Sequence, residues 1–202
     1  SILEKKIAFT SGTIQLEGLL NRSSGHNGAV ILHPHPLYGG DMVNPVVETV
    51  ADSYKKRGYT TLRFNFRGVG SSEGSFDSGN AEQEDVLAAV DYLTSQGITS
   101  IHLAGYSFGA WVIALTLQRK GRSEDLIMVS PPVAFVDFAS IGKLAGLRLV
   151  VTGSRDEIAP PGVIRQMLTT WNLSAHFDII DGSDHFYNLH TRQLEDVLGR
   201  HI

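Results

Sequence analysis

Residues 100–117 read Ser-Ile-His-Leu-Ala-Gly-Tyr-Ser-Phe-Gly-Ala-Trp-Val-Ile-Ala-Leu-Thr-Leu. An apolar run of β character (100–104) meets an apolar run of helical character (110–117) through Gly105-Tyr-Ser-Phe-Gly109. That is the sequence of a nucleophile elbow, a tight strand-to-helix turn that exposes a strained serine at its tip. Glycines flank the serine because side chains there would collide with the neighbouring strand and helix. A helix opening at Ser107 also aims free N–H groups and the positive end of its dipole at any anion that forms nearby. The bare Gly-x-Ser-x-Gly pattern arises by chance in roughly one chain in five of this composition. Its weight therefore depends on the rest of the chain.

Outward from that turn, apolar β-branched runs alternate with helical patterns, the signature of an α/β fold with a mostly parallel sheet. Strands are expected at about residues 3 to 10 and 13 to 20, a hairpin turning at Ser11-Gly12, then at 29–32, 59–66, 126–129, 147–152 and 177–180. Helical spacing covers 43–57, ending at Gly58, and 81–95, where Val86, Leu87, Ala89, Val90 and Leu93 share a face before Gly97. Further helical segments fall near 161–171 and 188–199. The Gly- and Ser-rich stretch 67–74 lacks the Gly-Lys-Ser/Thr of a phosphate loop and reads as a tight crossover turn. No repeat or linker interrupts the chain, so a single domain over residues 1–202 is expected.

Composition narrows the function. A 42% hydrophobic content supports one sizeable core, and the net charge of −4 with no long basic stretch argues against nucleic acid or anionic membrane as partner. Without cysteine the chain has no disulfide framework, thiolate zinc site or cysteine nucleophile. No apolar run reaches the length of a membrane span, and the first residues lack a signal-peptide core. The expectation is a cytoplasmic protein; the initial Ser leaves open a removed upstream segment.

A serine hydroxyl is a poor nucleophile at neutral pH and needs a histidine base held by an acid, here in the chain order serine, acid, histidine. Asp156 follows an apolar strand within Gly153-Ser-Arg-Asp-Glu-Ile-Ala-Pro160 and is the first candidate acid, with Glu157 and then Asp137 as rivals. His185, in Asp181-Gly-Ser-Asp-His-Phe186 beyond the last strand, is the candidate base. Of the other histidines, His102 falls inside a strand, His176 begins one, and His190 falls within the last helix. An oxyanion hole would take one N–H from Phe108 and another from His33-Pro-His-Pro-Leu-Tyr-Gly-Gly40. Prolines 34 and 36 have no N–H, which leaves His35 as first choice and Leu37 as second, ahead of Tyr38 and the two glycines. A metal at the His-x-His pair is not expected, because alternate residues diverge on extended chain and no third ligand is evident.

Taken together, these residues resemble the α/β-hydrolase superfamily over essentially the whole chain. Arg63-Phe-Asn-Phe-Arg-Gly-Val-Gly-Ser-Ser-Glu-Gly74 is similar to that superfamily's turn after the fourth strand, and residues 33–40 look like the marker of a group of small, mostly bacterial hydrolases related to carboxylesterases and dienelactone hydrolases. The resemblance implies an α/β-hydrolase fold with helices on both faces of the sheet, and Ser107, Asp156 and His185 as nucleophile, acid and base. Dienelactone hydrolases typically use a cysteine, which this chain lacks. Many relatives carry a lid after the sixth strand, whereas here only residues 131–146 are available, which implies a minimal cap and an open site.

The expected activity is that of a cofactor-free carboxylesterase or thioesterase acting on a small acyl substrate, with Tyr38, Phe135 and Phe138 as an apolar wall. Action on short peptides or amides is the alternative, and a non-catalytic binding protein of the same fold is a third reading. A homodimer is left open.

Overall fold

The structure, a computed structural model, describes residues 4–202. The chain opens with the antiparallel strands β1 (Lys5–Ser11) and β2 (Ile14–Asn21), joined by a two-residue turn in which Gly12 takes φ +59°. Residue 3, expected at the start of the first strand, lies outside the described residues. Strand β2 runs antiparallel to β4 (Thr60–Phe64), and every later pairing is parallel: β4 to β3 (Asn27–Leu32), β3 to β5 (Ser100–Tyr106), then β6 (Asp125–Val129), β7 (Leu147–Gly153) and β8 (His176–Ile180). The order across the sheet is β1-β2-β4-β3-β5-β6-β7-β8.

Both faces of this sheet are covered, which is why its inner strands read as unbroken apolar runs rather than alternating ones. Along β3, Ala29 and Ile31 face the helices α1 (Pro45–Lys55) and α5 (Thr191–His201), while Val30 and Leu32 face α2 (Glu82–Ser95), α3 (Phe108–Lys120) and α4 (Pro161–Trp171). Each fully buried aliphatic side chain contributes about 1.5–3 kcal/mol by leaving water.

Helix boundaries differ from expectation for local reasons. The helix expected over 43–57 begins at Pro45, because the Asn44 side chain caps the Val46 and Val47 N–H groups and proline suits the first helical position. The helix expected from 188 begins at Thr191, because Tyr187 (φ +58°) and Leu189 (φ +64°) are left-handed. His190 is thus the residue before that helix, not within it.

The topology also places the site. From β3 the chain crosses to β4 on one side and then to β5 on the other, so the carboxyl ends of β3 and β5 send their connections apart and leave a crevice. Five loops meet along that edge: those after β3, β5, β6, β7 and β8. Between β6 and β7, residues 130–146 form no helix or strand.

Candidate active site

Ser107 stands between β5 and α3 with φ +56° and ψ −118°, a conformation that costs a non-glycine residue on the order of 1–3 kcal/mol. The surroundings enforce it. Its N–H donates to the Val129 carbonyl (2.9 Å) on β6, and the glycines let two backbones close in. A Cβ on Gly105 would stand 2.5 Å from the Ala110 nitrogen, and one on Gly109 2.6 Å from the Leu32 oxygen. The serine is thereby pinned between β3, β6 and the first turn of α3.

Its Oγ lies 2.8 Å from His185 Nε2, and His185 Nδ1 lies 2.9 and 3.1 Å from the two Asp156 carboxyl oxygens. An ionised carboxylate only accepts, so Nδ1 carries the ring proton and Nε2 offers its lone pair to the Ser107 hydroxyl. The Asp156 side chain is fully buried. Its Oδ1 accepts the N–H groups of Ile158 (2.9 Å) and Ala159 (2.7 Å), which fixes the carboxylate plane. Burial alone would raise its pKa, but the hydrogen bond and charge of His185, the Ala159 amide and the Ser130 hydroxyl outweigh it and leave the carboxyl below its ordinary value. Both rivals lie elsewhere: Glu157 and Asp137 are solvent-exposed, and Asp137 Oδ1 accepts the Ala139 N–H.

The histidine loop is held by contacts that sequence patterns did not single out. The Tyr106 hydroxyl donates to the His185 carbonyl (2.7 Å), and the Tyr187 hydroxyl pairs with Ser130 Oγ (2.6 Å). Ser130 and Tyr187, both buried, each adopt positive φ. The Arg155 N–H donates to the Ser183 carbonyl, which approaches so closely that a Cβ on Gly153 would fall 2.0 Å from its oxygen. This ties the acid loop to the histidine loop.

On the loop after β3, the candidate oxyanion donors separate by hydrogen bonding. The Leu37 N–H is committed to His35 Nδ1 (3.2 Å), and those of Tyr38 and Gly40 to the His35 carbonyl. The His35 and Phe108 N–H groups have no acceptor among the described residues, and both residues line the same cavity as Ser107. His33 serves as a strut: its Nε2 accepts the Phe66 N–H (3.0 Å) and its Nδ1 contacts the Pro34 carbonyl (2.7 Å). Both ring nitrogens of this buried residue are spent, and burial pushes its pKa down to about 4.

The cavity over Ser107 measures about 500 Å³. Tyr38 and Phe135, strongly exposed, stand at its mouth with Phe186, while Pro132, Val136 and Ile158 supply further apolar wall. Phe138, expected in the wall, is only 2% exposed, turns into the core against Trp171 (5.3 Å between rings) and lines no part of the cavity. A basic imidazole against a strained serine, beside two free amides, can activate a hydroxyl and receive an oxyanion.

Comparison with known proteins decides the family, since the model of the alpha/beta hydrolase family matches residues 29–150, more than half the chain. This chain belongs to the alpha/beta hydrolase family. The hydrolase is 34% identical to an alpha-beta serine hydrolase homologue from Coxiella burnetii, whose structure superposes with a TM-score of 0.90 over 99% of this chain and 98% of that one. Against XC6422 from Xanthomonas campestris, described as an a/b serine hydrolase without a lid, the TM-score is 0.89 at 28% identity, covering 99% and 94% of the two chains. It is also 32% identical, over 98% of its length and 88% of the other's, to RP471, an uncharacterised protein of Rickettsia prowazekii. No helix among the described residues is long and apolar enough to cross a membrane.

Proposed function

We propose that this hydrolase cleaves a small carboxylic ester or thioester through an acyl-enzyme on Ser107. The observation that carries the reading is the continuous run of contacts from Ser107 Oγ through His185 to the buried Asp156 carboxylate, 2.8 and 2.9 Å long, at the tip of a strained turn. The serine hydrolase descriptions of its two structural neighbours support it.

In this mechanism Ser107 Oγ attacks the acyl carbon while its proton passes to His185 Nε2, and Asp156 stabilises the imidazolium without taking the proton. The carbonyl oxygen becomes an oxyanion held by the His35 and Phe108 amides, each worth about 3 kcal/mol of barrier. Collapse expels the alcohol or thiol, which takes the proton from Nε2. Water then attacks the acyl carbon, gives one proton to Nε2, and the serine leaves with that proton to regenerate the site. The open mouth between Tyr38, Phe135 and Phe186 admits the acyl group without a lid.

A series of p-nitrophenyl acyl esters and a matched series of aminoacyl amides tests this. Ester turnover should exceed amide turnover and fall by several orders of magnitude in Ser107→Ala, because the three residues act as a unit. Equal ester turnover by the wild type and Ser107→Ala would overturn the proposal.

A further inference from the structure

We infer that the cavity selects an uncharged acyl substrate carrying one neutral oxygen acceptor besides its scissile carbonyl, and that the side-chain amide of Asn44, with the ring N–H of His35, reads that oxygen. The inference rests on the serine hydrolase reading above and narrows its substrate class.

The first observation is the chemistry of the wall: no Asp, Glu, Lys or Arg lines the cavity. A charged substituent would lose water there and gain no counter-ion. The second is the orientation of Asn44. Its Oδ1 accepts the Val46 and Val47 N–H groups (2.8 and 3.3 Å) at the start of α1, a task its NH₂ cannot perform. The Nδ2 group is therefore turned away from the helix, and it has no partner among the described residues although Asn44 lines the cavity. Third, His35 Nδ1 accepts the Leu37 N–H, so in the neutral ring the proton sits on Nε2, which also lacks a partner among the described residues. The ring is set against Phe108, Phe76 and Tyr38, and its burial lowers its pKa, favouring the neutral form.

Two uncharged side-chain donors thus stand unpaired in a wall whose other polar groups are the two oxyanion amides, Ser107, His185 and the Tyr38 and Tyr106 hydroxyls. A donor that is desolvated by a purely apolar ligand loses its water without replacement, whereas a ligand with an ether, keto or hydroxyl oxygen restores the bond. A carboxylate could accept the same bond but would bring a charge that no cation in the wall balances.

Substrate pairs that exchange one CH₂ for one oxygen test the inference: p-nitrophenyl butyrate against p-nitrophenyl methoxyacetate on the acyl side, and butyl acetate against 2-methoxyethyl acetate on the alcohol side. Each is compared in wild type, Asn44→Ser and Asn44→Asp, since serine and aspartate keep the helix cap while removing the amide. The oxygen-to-methylene ratio of kcat/KM, normalised to wild type so that intrinsic reactivity cancels, should fall about three- to tenfold in both variants in at least one arm, the worth of one neutral hydrogen bond. Ratios unmoved in both arms would overturn the inference while leaving ester hydrolysis intact; wild-type protein that hydrolyses no ester would remove the underlying reading as well.

Discussion

Replacing Asp156 by Asn changes a single atom type at the buried end of the Ser107–His185–Asp156 chain, and the structure dictates how the new amide must sit. The Ile158 and Ala159 N–H groups both point at Oδ1, at 2.9 and 2.7 Å, so the amide oxygen has to take that position. The nitrogen then replaces Oδ2, 2.9 Å from His185 Nδ1. Being a donor, it forces Nδ1 to accept, moves the ring proton to Nε2, and turns the base toward Ser107 as an N–H. Loss of the correct tautomer in such a triad lowers kcat about 10⁴-fold, or ~5.5 kcal/mol at 1.36 kcal/mol per decade. Stability should change far less, by about 1 kcal/mol, because both backbone hydrogen bonds survive. The assay is ester hydrolysis with thermal unfolding run in parallel on the same preparations. A folded Asp156→Asn protein within tenfold of wild-type kcat would refute the reasoning. The acid range supplies a second readout. The carboxyl is held below its ordinary 3.8, so the stability it contributes is complete above that value and is lost as pH falls through the lowered one. The Asn variant should lack that part of the acid transition.

Tyr106→Phe removes the hydroxyl that holds the His185 carbonyl and should lower kcat about tenfold with little change in KM, at ~1–3 kcal/mol of stability for the unpaired buried carbonyl; an unchanged kcat would show that the loop needs no such clamp. His33, buried neutral with its pKa near 4 against an ordinary 6.5, leaves the folded state binding fewer protons than the unfolded one between those values. Stability should therefore fall as pH drops from 6.5 toward 4, on the order of 3 kcal/mol from this residue, and urea unfolding at stepped pH should show a flatter profile in His33→Gln. Gly109→Ala sets a methyl 2.6 Å from the Leu32 oxygen and should cost roughly 1–3 kcal/mol in urea unfolding, since backbone bounds the space on that side.

Much of this architecture was legible where one physical cause dominates the residue choice. Strands β3, β6 and β7 are buried on both faces and so announce themselves as apolar runs. The elbow is legible because Gly105 and Gly109 answer to sterics that no other residue satisfies. The start of α1 was expected two residues early, at 43, although Asn44-Pro45 marks it as an N-cap followed by a first-turn proline. By contrast, nothing local marks Tyr187 and Leu189 as left-handed, since the long-range Tyr187–Ser130 pair holds that loop. Hydrophobicity also cannot tell a cavity wall from a core, and so Phe135 and Phe138 look alike in sequence although one stands at the mouth and the other packs on Trp171. Tyr106 occupies a motif position open to any residue, and its partner is a backbone carbonyl 79 residues away.

If Ser107 is an activated nucleophile, a fluorophosphonate should label the folded protein covalently. One adduct per chain is expected, mapped by peptide mass spectrometry to Ser107, abolished in Ser107→Ala and strongly slowed in Asp156→Asn. A folded wild-type protein that takes no label, or takes it on another residue, would show that Ser107 is not the nucleophile.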